Sequence, residues 1–203
     1  MHDVTELHLV RHADVAVARP ATVYGHLDVP LSPAGHAQSL RLADWLAETV
    51  SAPFALWGSD LERCVVLGET IARHTGVAYR PLPALREQHM GAWEGRTWDD
   101  LTRDDPAAVS GFWSDYVATR PPGGECFGDV AERVEATLDE LTRGGARRLV
   151  VVTHAGVVRA ACCHFLGVAL DQALRFAPAT ASRTTFQCHE AGAVLTTFGA
   201  RPP

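Results

Sequence analysis

The chain has 203 residues, 47% of them apolar and 21% charged, with a formal net charge of -6. That length supports one full hydrophobic core, and the apolar share is that of an ordinary water-soluble domain. The negative balance argues against a nucleic-acid surface, which needs clustered positive charge, so an anionic ligand must be drawn in by a local basic pocket.

All 18 Lys-plus-Arg positions are Arg. The absence of Lys excludes Schiff-base chemistry and a P-loop lysine. It suits bidentate clamping of phosphate, although GC-rich codon usage is the simpler explanation of the bias. Cys64, Cys126, Cys162, Cys163 and Cys188 are odd in number and show no CxxC spacing. With a polar start and no long apolar stretch, the expectation is a cytoplasmic protein with reduced thiols and no membrane contact.

In chain order, Leu7 to Val10 is a short apolar run that ends in Arg11-His12, which predicts a buried strand with a charged pair at its C-terminal edge. A loop rich in Pro and Gly follows to about Leu31. Ser32 then reads as a helix N-cap with Pro33 at the first helical position, and Leu42, Trp45 and Leu46 form the apolar stripe. Phe54 to Trp57 predicts a second strand, and Ser59 or Asp60 is expected to cap a helix reaching about His74. Val77 to Leu82 predicts a third strand.

Residues from about 97 to 126 read as an insertion with short helical patterns broken at Pro106, within a single domain spanning 1–203. A helix follows with Phe127, Val130, Val134, Leu138 and Leu141 on one face. Arg148 to Val152 is the strongest strand pattern, and Ala155 to Leu166 the next helix. Cys162-Cys163 reads as core packing within that helix. Residues 183 to 198 are expected to form a hairpin across Glu190-Ala191-Gly192. The alternation predicts an α/β fold: a three-layer α/β/α sandwich with a mostly parallel central sheet and helices on both faces.

In open α/β sheets, ligands bind beyond the carboxyl ends of the strands. Arg11, His12, Arg63 and His154 would stand at corresponding strand ends, with Glu87 in a polar stretch after the third strand. Two Arg and two His at one edge suit a tetrahedral dianion. Glu94 and Glu125 compete with Glu87 for an acid role, while His26, His89 and His164 read as rim or structural residues. A metal set of His12, Asp14 and His154 lacks any close ligand pair such as HxH, so no metal or other cofactor is expected.

These segments resemble the histidine phosphatase superfamily, the group containing the cofactor-dependent phosphoglycerate mutases. The resemblance rests on Leu9-Val10-Arg11-His12-Ala13, Ser59-Asp60-Leu61-Glu62-Arg63, Leu85-Arg86-Glu87 with Gly91 to Gly95, Pro122 to Cys126, and Val152-Thr153-His154-Ala155-Gly156, in family order. It implies a phosphoglycerate mutase-like fold. It also implies that His12 attacks phosphorus and becomes phosphohistidine, while Arg11, Arg63 and His154 stabilise the equatorial oxygens as three cationic groups. Glu87 would serve as general acid and then base. The lability of the P–N bond makes the second step accessible without a metal. Ala155, Tyr24 and Gly25 are placed at the substrate by the same resemblance.

Ala13-Asp14-Val15 replaces the usual Gly-Glu-Thr, and Ala18 stands where the family commonly has a phosphate-holding Asn. Tyr24 to Leu31 is similar to the corresponding segment of α-ribazole phosphatases, which suggests α-ribazole 5′-phosphate as substrate. Tyr24, Trp93 and Trp113 would stack on its base or belong to the core. The expected partner is a small phosphomonoester, and the expected assembly a monomer or homodimer. A mutase is disfavoured because Thr97 to Asp115 is acidic where mutases carry a basic insertion, and the intact Arg-His set counts against a non-catalytic phospho-ligand module, while a member directed at phosphoproteins stays open as an alternative.

Overall fold

The computed structural model describes residues 4–17 and 19–203. Its elements are β1 (Thr5–Arg11), α1 (Pro33–Thr49), β2 (Ala55–Gly58), α2 (Glu62–Thr75), β3 (Tyr79–Pro81), α3 (Trp98–Asp104) and α4 (Pro106–Ser114), followed by α5 (Phe127–Arg143), β4 (Arg148–Thr153), α6 (Ala155–Leu166), β5 (Ser182–His189) and β6 (Gly192–Ala200). Short 3-10 turns at Pro83–Leu85, Gly91–Trp93 and Leu170–Arg175 join them.

One six-stranded sheet has the order β3-β2-β4-β1-β5-β6. The first four strands pair in parallel, and β5 and β6 close the sheet antiparallel. The strand alternation explains both covered faces. Leu149 and Val151 pack with Leu7 and Leu9 against Val134 and Val158 of α5 and α6. Val150 and Val152, one residue out of phase, pack with Val10 against Leu42 and Leu67 of α1 and α2. A strand buried on both faces reads as an unbroken apolar run, as β4 does.

Ser32 caps α1, its hydroxyl accepting from Gly35 N–H at 3.0 Å, with Pro33 in the first turn. The cap expected for α2 is corrected. Leu61 occupies the cap position without a side-chain bond, and Asp60 instead forms a bidentate pair with Arg86 at 2.6 and 2.7 Å. The acceptor comes from a distant loop, where Asp28 takes the Glu62 N–H at 2.7 Å. The third strand is also shorter than expected, because Leu82 already leads into the Pro83 turn.

The 97–126 segment carries its own small core of Val23, Met90, Trp93, Leu101, Val109 and Phe112. It stands beside the sheet edge where the parallel strands end and forms a wall there. Cys162 and Cys163 are buried in the main core.

Candidate active site

The parallel register pairs Arg11 with Thr153, so the residues that follow, His12 and His154, emerge side by side. Their rings lie 5.2 Å apart, centroid to centroid, at 59°. The His12 N–H is bonded to the Thr153 carbonyl at 2.9 Å, which extends the ladder one residue past β1.

His12 has its Nδ1 2.7 Å from the Ala13 carbonyl. A carbonyl only accepts, so Nδ1 carries the proton and Nε2 presents a lone pair. Burial, then the charges of Arg63 and Arg11, push the His12 pKa down to about 3, outweighing the Ala13 bond that raises it. The ring is therefore neutral at pH 7.

Arg63 is fully buried near the start of α2. It donates to the Leu27 carbonyl at 3.0 Å, the Gly25 carbonyl at 2.6 Å and His154 Nδ1 at 3.3 Å. A guanidinium has five N–H groups, so two remain beyond those bonds. Because Arg63 can only donate, His154 Nδ1 is the acceptor and Nε2 carries the hydrogen. Burial, followed by Arg63 and the His12 ring, holds His154 well below its ordinary pKa. The expectation of three cationic groups is therefore corrected at His154. There are two guanidinium charges and one neutral imidazole donor, because a buried imidazole against Arg63 does not take up a proton.

Arg11 donates from Nη1 to the Pro178 carbonyl at 2.7 Å, and its Nε is buried without a hydrogen-bond partner. A buried orphan donor costs about 1–3 kcal/mol, a cost that an anionic ligand accepting from it offsets.

Glu87 lies across the site. Its carboxylate accepts from Gly156 N–H at 3.1 and 3.2 Å and from Gln88 N–H at 3.0 Å. Gly156 is the second residue of α6, so the acid rests on a helix N-terminus. A Cβ on Gly156 would come within 2.2 Å of Glu87 Oε1, so only Gly permits this approach. The Glu87 carbonyl accepts from His26 Nε2 at 2.7 Å and from Arg133 at 2.9 Å. Arg133 also holds the carbonyls of Ala84 and Arg86 at 2.8 Å each and the Glu125 carboxylate.

The two competing acids are otherwise engaged. Burial alone would raise Glu125, but bonds from Arg133 and the His89 N–H bring it below its usual range. Glu94 accepts from the backbone of His26 and Met90 at 2.8 and 2.9 Å. Asp14 accepts from the Ser32 hydroxyl at 2.6 Å, at the start of α1. Among the described residues no three His, Cys, Asp or Glu side chains converge as a metal set would.

A cleft of about 270 Å³ opens at Glu87, lined by Tyr24, Gly25, Trp98, Trp113, Tyr116 and Arg159 among others. Tyr24 stands with its ring 5.0 Å from the Arg63 guanidinium carbon. Trp93 is buried in the small core, whereas Trp113 is 47% exposed at the cleft rim. Ala155 is buried at the first turn of α6, and Gly25 contributes its carbonyl to Arg63. His26 and His89 stack at 4.8 Å, and His164 pairs with Asp139 far along α6. Ala18 lies outside the described residues. A larger cavity of about 690 Å³ opens at the opposite strand ends, near Thr5 and Arg147, and of these groups is lined only by His164 and Asp139.

Sequence reasoning missed Arg133, which reads there as one more polar position on α5, and Gly156 as the seat of the acid. A Gly two residues past a strand-end His was the available signal for the second.

The family model of the histidine phosphatase superfamily (branch 1) matches residues 7–201. The chain belongs to that superfamily. A metal-independent phosphoserine phosphatase of Arabidopsis thaliana is 31% identical over 164 residues, covering 78% of this chain and 67% of that one. Glucosyl-3-phosphoglycerate phosphatase of Mycobacterium tuberculosis is 31% identical over 161 residues, 75% of this chain and 71% of that one. The native structure of a mycobacterial glucosyl-3-phosphoglycerate phosphatase superposes with a TM-score of 0.87 at 27% identity, covering 97% of this chain and 99% of the other. A putative α-ribazole-5′-P phosphatase from Escherichia coli, at 24% identity and a TM-score of 0.89, shows the same fold. The sandwich around a six-stranded sheet is thus the phosphoglycerate mutase-like fold. Among the described residues no helix is long and apolar enough to cross a membrane.

Proposed function

We propose that this superfamily member is a metal-independent hydrolase of small phosphomonoesters that works through a phosphohistidine on His12. The observation that carries the reading is the fixed tautomer of His12. Nδ1–H is committed to the Ala13 carbonyl, leaving the Nε2 lone pair among Arg11, Arg63 and His154.

In the first step Nε2 bonds to phosphorus as the P–O bond to the leaving group breaks. Glu87, as general acid, gives a proton to that oxygen. The equatorial oxygens gain charge next to the Arg11 and Arg63 guanidiniums and the Nε2–H of His154. In the second step water bonds to phosphorus, its proton passes to the Glu87 carboxylate, and the P–N bond breaks to release inorganic phosphate. General acid help supplies about 10²- to 10⁴-fold. Phosphomonoester hydrolysis needs up to ~10²¹-fold, so the guanidiniums and positioning carry most of the acceleration.

Phosphate release with EDTA present, across a set of monophosphates, tests the reading. The set includes O-phosphoserine and glucosyl-3-phosphoglycerate, after the names of two relatives, and α-ribazole 5′-phosphate, after the resemblance of Tyr24 to Leu31. Turnover in EDTA, with acid-labile phosphate trapped on the wild type and absent from His12→Ala, is expected. Full activity in His12→Ala, or its abolition by EDTA, overturns the mechanism.

A further inference from the structure

Arg159 stands on α6 one helical turn after Gly156, whose N–H holds Glu87. Residues three apart on a helix are neighbours on its surface, so this guanidinium follows the acid along the cleft wall. Its Nε donates to the Phe176 carbonyl at 3.0 Å. Among the described residues it forms no salt bridge, and it is the single cation lining the cleft. Burial lowers its pKa, against the pull of Glu87. Tying α6 to the loop at Phe176 needs one of the five N–H groups. Partial desolvation of a cation with no ion pair is unfavourable unless something else compensates it.

The remaining wall of the cleft is apolar and aromatic, including Met90, Trp98, Trp113 and Leu174. Glu87 serves the leaving-group oxygen in the reading above, so the group one turn further on meets the body of the leaving group.

We propose that Arg159 is a specificity residue that binds a carboxylate on the leaving group, so that the favoured substrates are phosphomonoesters of hydroxy acids. This rests on the phosphatase reading for the direction of the leaving group. The planar fork of an Arg matches a carboxylate in bidentate fashion. One guanidinium neutralises one carboxylate, whereas a second phosphate would leave an uncompensated negative charge beside Glu87. A nucleoside monophosphate such as α-ribazole 5′-phosphate offers Arg159 no anion at all.

The test compares substrates that differ only where the carboxylate stands: O-phosphoserine against O-phosphoethanolamine, which has hydrogen there, and 3-phosphoglycerate against glycerol 1-phosphate, which has a neutral hydroxymethyl group. The wild type is expected to favour the carboxylate member of each pair by at least tenfold in kcat/KM. Arg159→Gln is expected to reduce that ratio by at least tenfold, mainly through KM, and Arg159→Lys by less. A ratio untouched by both substitutions overturns the proposal, as does a preference for 2,3-bisphosphoglycerate over 3-phosphoglycerate. Thermal unfolding checks that each variant folds, with Arg159→Lys carrying the test if Arg159→Gln does not. p-Nitrophenyl phosphate separates the two readings. If neither it nor any other ester is turned over, the phosphatase reading fails. The proposal is then judged on calorimetric affinity for the same pairs, where equal binding by wild type and variant overturns it.

Discussion

Arg63 Nε donates to His154 Nδ1 at 3.3 Å with both side chains fully buried. That contact fixes the His154 tautomer and leaves the hydrogen on Nε2, so in the proposed mechanism Arg63 would act on a phosphoryl group both directly and through its neighbour.

Arg63→Lys keeps the charge and loses the fork. A Lys ammonium has three donors on one centre, which cannot span the Gly25 and Leu27 carbonyls and His154 together. kcat/KM is expected to fall by about 10²-fold or more, as for loss of a transition-state donor. Leaving buried acceptors unpaired should also lower stability by about 1–3 kcal/mol. Steady-state kinetics and urea unfolding check both. A Lys variant with near-native kcat/KM would show that the charge alone suffices.

Glu87→Gln removes the transferable proton and keeps the shape. For alkyl phosphates, whose leaving alkoxide needs a proton, kcat should fall by about 10²- to 10⁴-fold. For p-nitrophenyl phosphate, whose leaving group is stable as an anion, the loss in the first step should be much smaller. Equal losses on both substrates would assign Glu87 a positioning role only.

The backbone of this site was legible in the sequence because its elements are local. The apolar run of β4, the Ser32-Pro33 start of α1 and the strand-end pairs Arg11-His12 and Thr153-His154 each carry their signal within a few residues. The supports of the acid segment were not legible. Arg133 bonds carbonyls 46 to 49 residues away, and a carbonyl acceptor leaves no trace in residue identity. Asp60 misled for the same reason: it looks like a cap for the helix beside it, yet Arg86 takes both its oxygens from across the chain. The charge state of His154 also required the fold, since burial against Arg63 sets it.

Gly156→Ala probes the seat of Glu87. The added Cβ would meet Glu87 Oε1 at 2.2 Å, so the carboxylate must leave the α6 N-terminus. The substitution favours the helix intrinsically, by up to about 1 kcal/mol. Stability should therefore change little while kcat on alkyl phosphates falls at least tenfold, and p-nitrophenyl phosphate should again be less affected. A crystal structure of the variant with Glu87 unmoved would contradict the assignment.

Stability should rise with pH between about 5 and 6.5. His12 and His8 are lowered to about 3 and about 4, and His154 well below its ordinary value, each chiefly by burial. The unfolded chain takes up protons on these rings near pH 6.5, whereas the native protein does not until far lower. The unfolded state thus binds more protons throughout this window, and acidification favours it by up to about 1.4 kcal/mol per pH unit for each ring. Carboxylates are still ionised there, which isolates the histidine contribution. Urea midpoints measured at pH 7, 6 and 5 should decline in that order. The decline should weaken in His8→Gln, which removes one such ring away from the active site but keeps a side chain able to bond Thr185, His8's partner at 3.1 Å. Midpoints that stay level from pH 7 to 5 would mean that the buried rings take up protons in the native protein as readily as in the unfolded chain, and His12 would then lose its neutral ring across this pH range.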